Sequence, residues 1–355
     1  MAEGNSTTSD MSVVMTATGM TQVTGGGYMA SSSSLRSSLF YFECAVLVIG
    51  VVGTATNALI LYVLVASKQH KKHVLIVNQN ALDVFSSFFT VITYSLKLCN
   101  IRLSGSTGYW LCTLLLSESL SYSGFVGSAI NLASVSIERY LKIVHHTWSK
   151  KHLHKWMIYS AAAFAWIGSF IYNLALMFPT TKVINGVCYP YTFWVNKMAS
   201  VANTIWGFLS FYVIILWIFI FCYWRILATI RHQASVMAGH SASGGSSANQ
   251  FQYNHIEASV LKTMILVSVL YAITWLPNYV SVLLMNLSQK LTLITIGYYV
   301  SLMISFLYTC TNPFIYATKL DPVKEILLRV IPCKKISEQG GNSENVATAR
   351  AGTTT

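Results

Sequence analysis

Seven apolar runs, each about 20 residues or longer, alternate with short polar gaps along the chain. That is the length a helix needs to cross a bilayer at ~1.5 Å of rise per residue. The runs fall at about Leu39–Ala66, Val74–Leu98, Cys112–His146, Trp156–Phe178, Met198–Ile230, Glu257–Leu287 and Leu291–Thr318. The third has no Pro and carries Glu138-Arg139-Tyr140 near its end. Cys112 and Arg139 lie 27 residues apart, roughly 40 Å of helix, close to the thickness of a membrane with its headgroups. Glu118, Ser121, Phe125, Ser128, Leu132, Val135 and Arg139 share one arc of about 100° on this helix. Lipid rejects such a face, so it is expected to point into a bundle. The competing reading is a tolerated polar stripe, with Arg139 snorkelling to the headgroups.

The gaps carry their own signals. Lys182-Val183-Ile184-Asn185-Gly186-Val187-Cys188-Tyr189 reads as a β-hairpin, because Asn-Gly between β-branched residues suits a tight turn. It stands either as a lid over the bundle mouth or as scaffold. A Ser/Gly-rich linker lies near Arg231–Gln252. Asp321-Pro322 opens a short amphipathic stretch that suits a helix on the membrane surface. The expected organisation is a disordered extracellular tail (1–38), the bundle (39–318), an amphipathic surface helix (319–333) and a disordered cytoplasmic tail (334–355) with Ser and Thr open to phosphorylation.

Composition narrows the class. The chain is 54% hydrophobic and 10% charged, where soluble proteins carry about a quarter charged residues. Its net charge of +12 comes from bases in the gaps, which fits membrane topology better than a nucleic-acid partner. Of the Lys and Arg residues, 17 fall on one side and 6 on the other. Positive residues stay cytoplasmic, so the N-terminus is expected outside and the C-terminus inside. The first residues lack the basic start and apolar core of a secretory leader, so none is expected. Asn5-Ser6-Thr7 is a glycosylation sequon if that tail is outside. The seven cysteines do not make a disulfide scaffold in so long a chain. Cys112 and Cys188 both face the oxidising side and are expected to pair. Cys333 is either palmitoylated or a plain thiol.

Asp83 is the costliest group in the apolar runs, at about 2.5–3.5 kcal/mol for a mid-membrane carboxylate. Ser128, Asn57 and Asn312 sit at comparable depths. Together they read either as an oxygen-rich monovalent-cation site or as a hydrogen-bonded cluster around a neutral Asp83. Pro277 and Pro313 each remove a helix hydrogen bond, which makes hinges or static kinks. Glu257 opens the sixth run where Arg139 closes the third. The two form either a salt bridge between those ends or two separately solvated charges.

In order along the chain, these motifs resemble those of the rhodopsin-like (class A) G-protein-coupled receptors, from about Leu39 to Cys333. Asn57 sits in a G-x-x-x-N-like first helix, and Asn80-Ala81-Leu82-Asp83 resembles L-x-x-x-D. Glu138-Arg139-Tyr140 matches [DE]-R-Y, and Trp166 the fourth-helix Trp. Thr274-Trp275-Leu276-Pro277 matches C-W-x-P with Thr for Cys. Asn312-Pro313-Phe314-Ile315-Tyr316 matches N-P-x-x-Y. The resemblance implies an all-α seven-transmembrane helix bundle with a short amphipathic eighth helix and a β-hairpin in the second extracellular loop. It implies a Cys112–Cys188 disulfide, Arg139 meeting the G protein with Glu257 as its inactive-state partner, and Na+ at Asp83, Ser128 and Asn312 in place of any other cofactor. Trp275 is then the rotamer switch, and Tyr223 and Tyr316 reposition on activation.

Four departures stand out from the family pattern. The fifth helix lacks its Pro, with Ile215 eight residues before Tyr223. Tyr271 replaces a Phe, and Ala129 a larger aliphatic. Cys112 also lies slightly farther from Arg139 than is common. Ser121 stands where amine receptors carry Asp, and the seventh run has no Lys for retinal. The pocket is expected to include Glu118, Ser121, Tyr122, Lys97 and Trp275, with Glu43 near the mouth. The hairpin lid resembles those of peptide receptors, so the favoured ligand is an extracellular peptide. The expected partners are that ligand, a heterotrimeric G protein, membrane lipid, and kinase and arrestin at the C-terminal tail. An ion channel or transporter is the alternative, and a membrane enzyme finds no metal cluster or activated nucleophile in the runs.

Overall fold

The computed structural model describes the backbone of residues 29–66, 68, 73–240, 248–287 and 292–319, with side chains within 37–66, 68, 73–233, 261–287 and 296–315. Asn5, Cys333 and the amphipathic stretch from Asp321 lie outside the described residues, as do the side chains of Glu257 and Tyr316.

Ten helices and one hairpin follow in order among the described residues. They are α1 (Met29–Ala66), α2 (Val74–Leu98), α3 (Gly105–Leu111), α4 (Ser119–Val144), α5 (His146–His152), α6 (Lys155–Thr180), β1 (Lys182–Ile184), β2 (Val187–Tyr189), α7 (Lys197–Phe208), α8 (Ile214–His240), α9 (Ala248–Leu287) and α10 (Thr292–Lys319). A π-helical turn at Cys112–Leu116 joins α3 toward α4, and a second at Leu209–Val213 joins α7 to α8. These pairs form the third and fifth spans. Six spans are long and apolar enough among the described residues to cross a membrane. With α10, whose 28 residues reach roughly 42 Å, they make the seven-helix bundle.

Boundaries differ from expectation where helices outrun their apolar cores. α1 starts at Met29 instead of Leu39. The expected linker is helical at both ends, to His240 and from Ala248. The gap after Arg139 holds α5.

Burial follows the logic of lipid solvent. Ile167, Ile171, Trp217, Ile220 and Trp224 stand outward and exposed, while Asn57, Asp83, Ser128, Asn131 and Asn312 are buried inside. Polar groups turn inward because a bilayer offers them no hydrogen bonds. The third span is the axis of the bundle: 67% of its apolar stretch is buried, against 28%, 22% and 28% for the fourth, fifth and sixth. α4 packs on α2, α6 and α8. At Gly124 an added Cβ would come within 2.6 Å of Ser86 Cβ, so the bare backbone is what brings α2 and α4 so close.

The hairpin forms as expected, antiparallel with Val183 opposite Cys188. Asn185 (φ 51°) and Gly186 (φ 78°) both take left-handed backbone, the requirement of a two-residue hairpin turn. Leu103 N–H donates to Gly186 O at 3.1 Å, and Thr192 and Phe193 N–H both donate to Thr180 O at 3.1 Å. The loop is thereby held at both ends.

Candidate functional site

Three groups of residues line up along the third span. At the disulfide end, Cys112 and Cys188 are bonded with Cα atoms 5.4 Å apart, which ties β2 to the π turn. Below this bond the span breaks. Glu118 takes φ 61°, and α4 restarts at Ser119. The continuous Cys112–Arg139 helix expected from the sequence is therefore corrected to a π turn, a left-handed residue and a regular helix.

The break turns the Glu118 side chain onto α2. Lys97 Nζ and Glu118 Oε1 are paired, and Tyr94 OH donates to the same oxygen at 3.0 Å. Lys97 Nζ also sits 4.6 Å from the Tyr94 ring centroid. This cluster walls a cavity of about 470 Å³, lined also by Glu43, Tyr122, Tyr191, Trp275, Asn278 and Tyr298. Of the expected pocket residues, Lys97, Glu118, Tyr122 and Trp275 line it. Ser121 does not: it is 1% exposed and is not part of the cavity lining. Pro190, Tyr191 and Trp194 come from the loop after β2, so that loop, continuous with the hairpin, borders the cavity. Burial pushes the Tyr191 phenol well above its ordinary range, so it remains a neutral donor at physiological pH. Ala129 also lines the cavity. A larger aliphatic there would fill the space beside Tyr271 and Trp275.

Midway down, Asp83 is fully buried. Ser128 Oγ donates to its Oδ1 at 2.9 Å and Asn312 Nδ2 to its Oδ2 at 2.8 Å. The chain of bonds continues beyond what the sequence suggested. Gln79 Nε2 donates to Ser128 Oγ, and Asn131 Nδ2 to Gln79 Oε1 at 2.8 Å. Asn78 Nδ2 donates to Asn131 Oδ1 at 2.8 Å, and Trp166 Nε1 to Asn78 Oδ1 at 2.9 Å. Gln79, Asn131 and Asn78 were missed because their importance lies in pairing across helices. Their amides in an apolar run were the available signal.

Asp83, Ser128 and Asn312 offer only oxygen for ligation, and Asn312 Oδ1 is buried with no protein partner among the described residues. Hard oxygen donors around one carboxylate fit a small cation such as Na+. Bound there, the ion would supply a positive charge beside Asp83. Asn57 does not join the cluster. Its Nδ2 donates to Gly53 O at 2.9 Å and Thr309 O at 2.8 Å. Thr309 stands four residues before Pro313, whose missing N–H leaves that carbonyl free.

At the opposite end Arg139 is 6% exposed. Its Nη2 lies 3.5 Å from His73 Nδ1, and its Nε has no partner among the described residues. Glu138 pairs with Lys142 at 2.5 Å, and Tyr140 OH with His145 Nε2 at 3.0 Å. Tyr223 OH bridges Ser136 Oγ (2.8 Å) on α4 and Ser268 Oγ (3.1 Å) on α9. Glu257, the expected partner of Arg139, belongs to α9, but its side chain lies outside the described residues.

α9 connects the two ends, carrying Ser268 near the arginine and Trp275 at the cavity floor, with Pro277 within the helix. Trp275 packs edge-on against Phe125 at 5.5 Å between centroids. Ser305 Oγ donates to Thr274 O at 3.1 Å in the turn before the proline. The arrangement can transmit: a group seated on Trp275 acts on the helix that Ser268, about two turns away, ties through Tyr223 to Ser136, one turn before Arg139.

Comparison with known proteins agrees with this layout. The profile of the family described as 7 transmembrane receptor (rhodopsin family) matches residues 56–316. C-C chemokine receptor type 8 of Mus musculus is 23% identical over 83% of this chain and 80% of its own length. Somatostatin receptor type 4 of Rattus norvegicus is 23% identical, with 88% and 79% covered. Adenosine receptor A3 of Ovis aries is 22% identical, with 65% and 71% covered.

Proposed function

The chain belongs to the rhodopsin family of seven-transmembrane receptors, and on that premise we propose that it takes an extracellular peptide in the cavity under the disulfide and activates a heterotrimeric G protein at the Arg139 end. It is a multi-pass membrane protein and a receptor, not an enzyme. In this reading it resides in the plasma membrane with its N-terminus outside, as the 17-to-6 distribution of positive residues indicates.

One observation carries the proposal: the cavity floor and the switch end share the proline-containing helix α9. A ligand bearing on Trp275 favours a state in which α9 swings outward about Pro277. The Tyr223–Ser268 bond then breaks, and Arg139 leaves Glu257 to meet the G protein. A tie of ~1–3 kcal/mol is within reach of the differential affinity of one ligand for two states. Pro313 and Tyr316 adjust in the seventh span as the sixth moves. Na+ at Asp83, Ser128 and Asn312 favours the closed state. The peptide preference is supported by the hairpin lid and by the chemokine and somatostatin receptors among the relatives. Kinase and arrestin at the C-terminal tail complete the expected partners.

The test is a peptide screen read by nucleotide exchange on purified G protein. An agonist that drives exchange by the wild type is expected to lose at least roughly tenfold in rate with Arg139→Ala, the loss of about 1.4 kcal/mol of coupling. Undiminished exchange by that variant removes the assigned role.

A further inference from the structure

The cavity is not balanced in charge. Among the described residues its charged lining is Glu43, Lys97 and Glu118, set among eight tyrosines. Lys97 and Glu118 neutralise each other, with Tyr94 donating to the same carboxylate. Glu43 lies within electrostatic reach of both and has no hydrogen bond or ion pair among the described residues. One carboxylate is left in excess.

An entering anion would face two carboxylates and an ammonium already engaged. An entering cation finds an unengaged carboxylate and the negative faces of aromatic rings. Lys97 shows how the wall receives such a group, with Nζ 4.6 Å from the Tyr94 centroid. Phe42, the chain neighbour of Glu43, packs on Tyr299 at 4.9 Å between centroids, so rings stand at this corner too. At the cavity floor the lining residues Trp275 and Asn278 each carry a buried N–H donor, Nε1 and Nδ2, with no hydrogen-bond partner among the described residues. Unpaired buried donors are costly, and a ligand oxygen offsets that cost.

We propose that the cavity takes a ligand with an ammonium or guanidinium head on an aromatic body, the head paired with Glu43 and an acceptor oxygen directed toward Trp275 and Asn278. The inference rests on the receptor reading above and names the chemistry of that ligand. The family's amine position on the third span is Ser121 here, buried off the cavity. The negative charge is supplied instead from α1. The free N-terminus of a peptide and a small aromatic amine share this chemistry.

The experiment uses the full-length receptor in lipid nanodiscs, with binding read by saturation-transfer NMR. Three probes share one ring: tyramine (cation), para-ethylphenol (neutral) and para-hydroxyphenylpropionate (anion). Tyr-Ala-Ala-amide, with its N-terminus free or acetylated, forms the peptide arm. Cationic probes are expected to bind roughly tenfold tighter than their neutral or anionic counterparts, as one charge-assisted contact provides. Glu43→Gln should remove that preference and leave para-ethylphenol binding unchanged, which shows the cavity intact. Tighter binding of the free peptide than of tyramine assigns the head to a peptide end, and the reverse to a small amine. Equal or tighter binding of the anion, no binding of either cation, or no effect of Glu43→Gln overturns the inference. Binding is read without G protein, so those outcomes leave the receptor reading standing. Failure of every agonist to drive nucleotide exchange would count against the receptor reading and not against this charge preference.

Discussion

At Glu118 a charged residue sits in left-handed backbone, φ 61°, a conformation that costs a non-glycine residue about 1–2 kcal/mol. The third span spaces Cys112 and Arg139 slightly wider than its family does. The π turn and Glu118 take up the extra length just below the disulfide. What offsets the strain is the pair with Lys97, whose side chain is 9% exposed against 10% for Glu118. Breaking a buried pair leaves one charge without a partner, while removing both charges does not. Lys97→Met is therefore expected to destabilise the receptor by roughly 3 kcal/mol, and Lys97→Met with Glu118→Gln by clearly less. Thermal unfolding of the purified variants measures both. A double variant as unstable as the single would mean that the cost is not that of an unpaired buried charge.

Elements settle against one another through small residues and tyrosines. Gly127 faces Leu82 on α2 and Ala165 on α6: a Cβ there would meet Leu82 Cδ2 at 2.8 Å and Ala165 O at 3.0 Å. Gly124→Ala presses on the backbone and Cβ of Ser86 and is expected to cost about 1–3 kcal/mol, as overpacking does. Reduced surface expression with a lower Tm checks this, and a wild-type Tm would show that the helices can spread freely. The fifth span has Ile215 in place of the family's proline, yet it deforms. Its π turn at Leu209–Val213 presents Phe211 O to Tyr271 OH at 2.5 Å, while Tyr212 OH reaches Ala272 O at 3.0 Å. The Tyr271 substitution noted in the sequence thus supplies a staple between the fifth and sixth spans.

Across the whole molecule, two long-range ties hold the ends and the middle. The disulfide closes a separation of 76 residues and fixes the lid at the cavity mouth. The buried amide chain joins Trp166 on α6 to Asn312 on α10 through α2 and α4. Reducing the disulfide is expected to lower stability by about 2–4 kcal/mol and to weaken binding of any cavity ligand, because Tyr191 and Trp194 lose their anchor. Unfolding scans with and without reductant, repeated on Cys188→Ser, measure it. A receptor indifferent to both would show that the backbone bonds at Thr180 and Leu103 suffice to hold the loop.

Seven apolar runs, the hairpin turn and the in-order motifs were legible in the sequence, because each depends on local spacing: 20 apolar residues, an Asn-Gly pair, a Pro four residues past a carbonyl. The pairing of Cys112 with Cys188 was legible too, since one begins the third run and the other lies in the long gap on the same, oxidising side. The left-handed Glu118, its partner Lys97, the withdrawal of Ser121 from the cavity and the binding of Asn57 to Thr309 O were decided only by tertiary structure. Periodicity places a side chain on a face of an unbroken helix. One residue with positive φ rotates that face, and a polar group inside a membrane then takes whichever partner the neighbouring helix brings within hydrogen-bond distance.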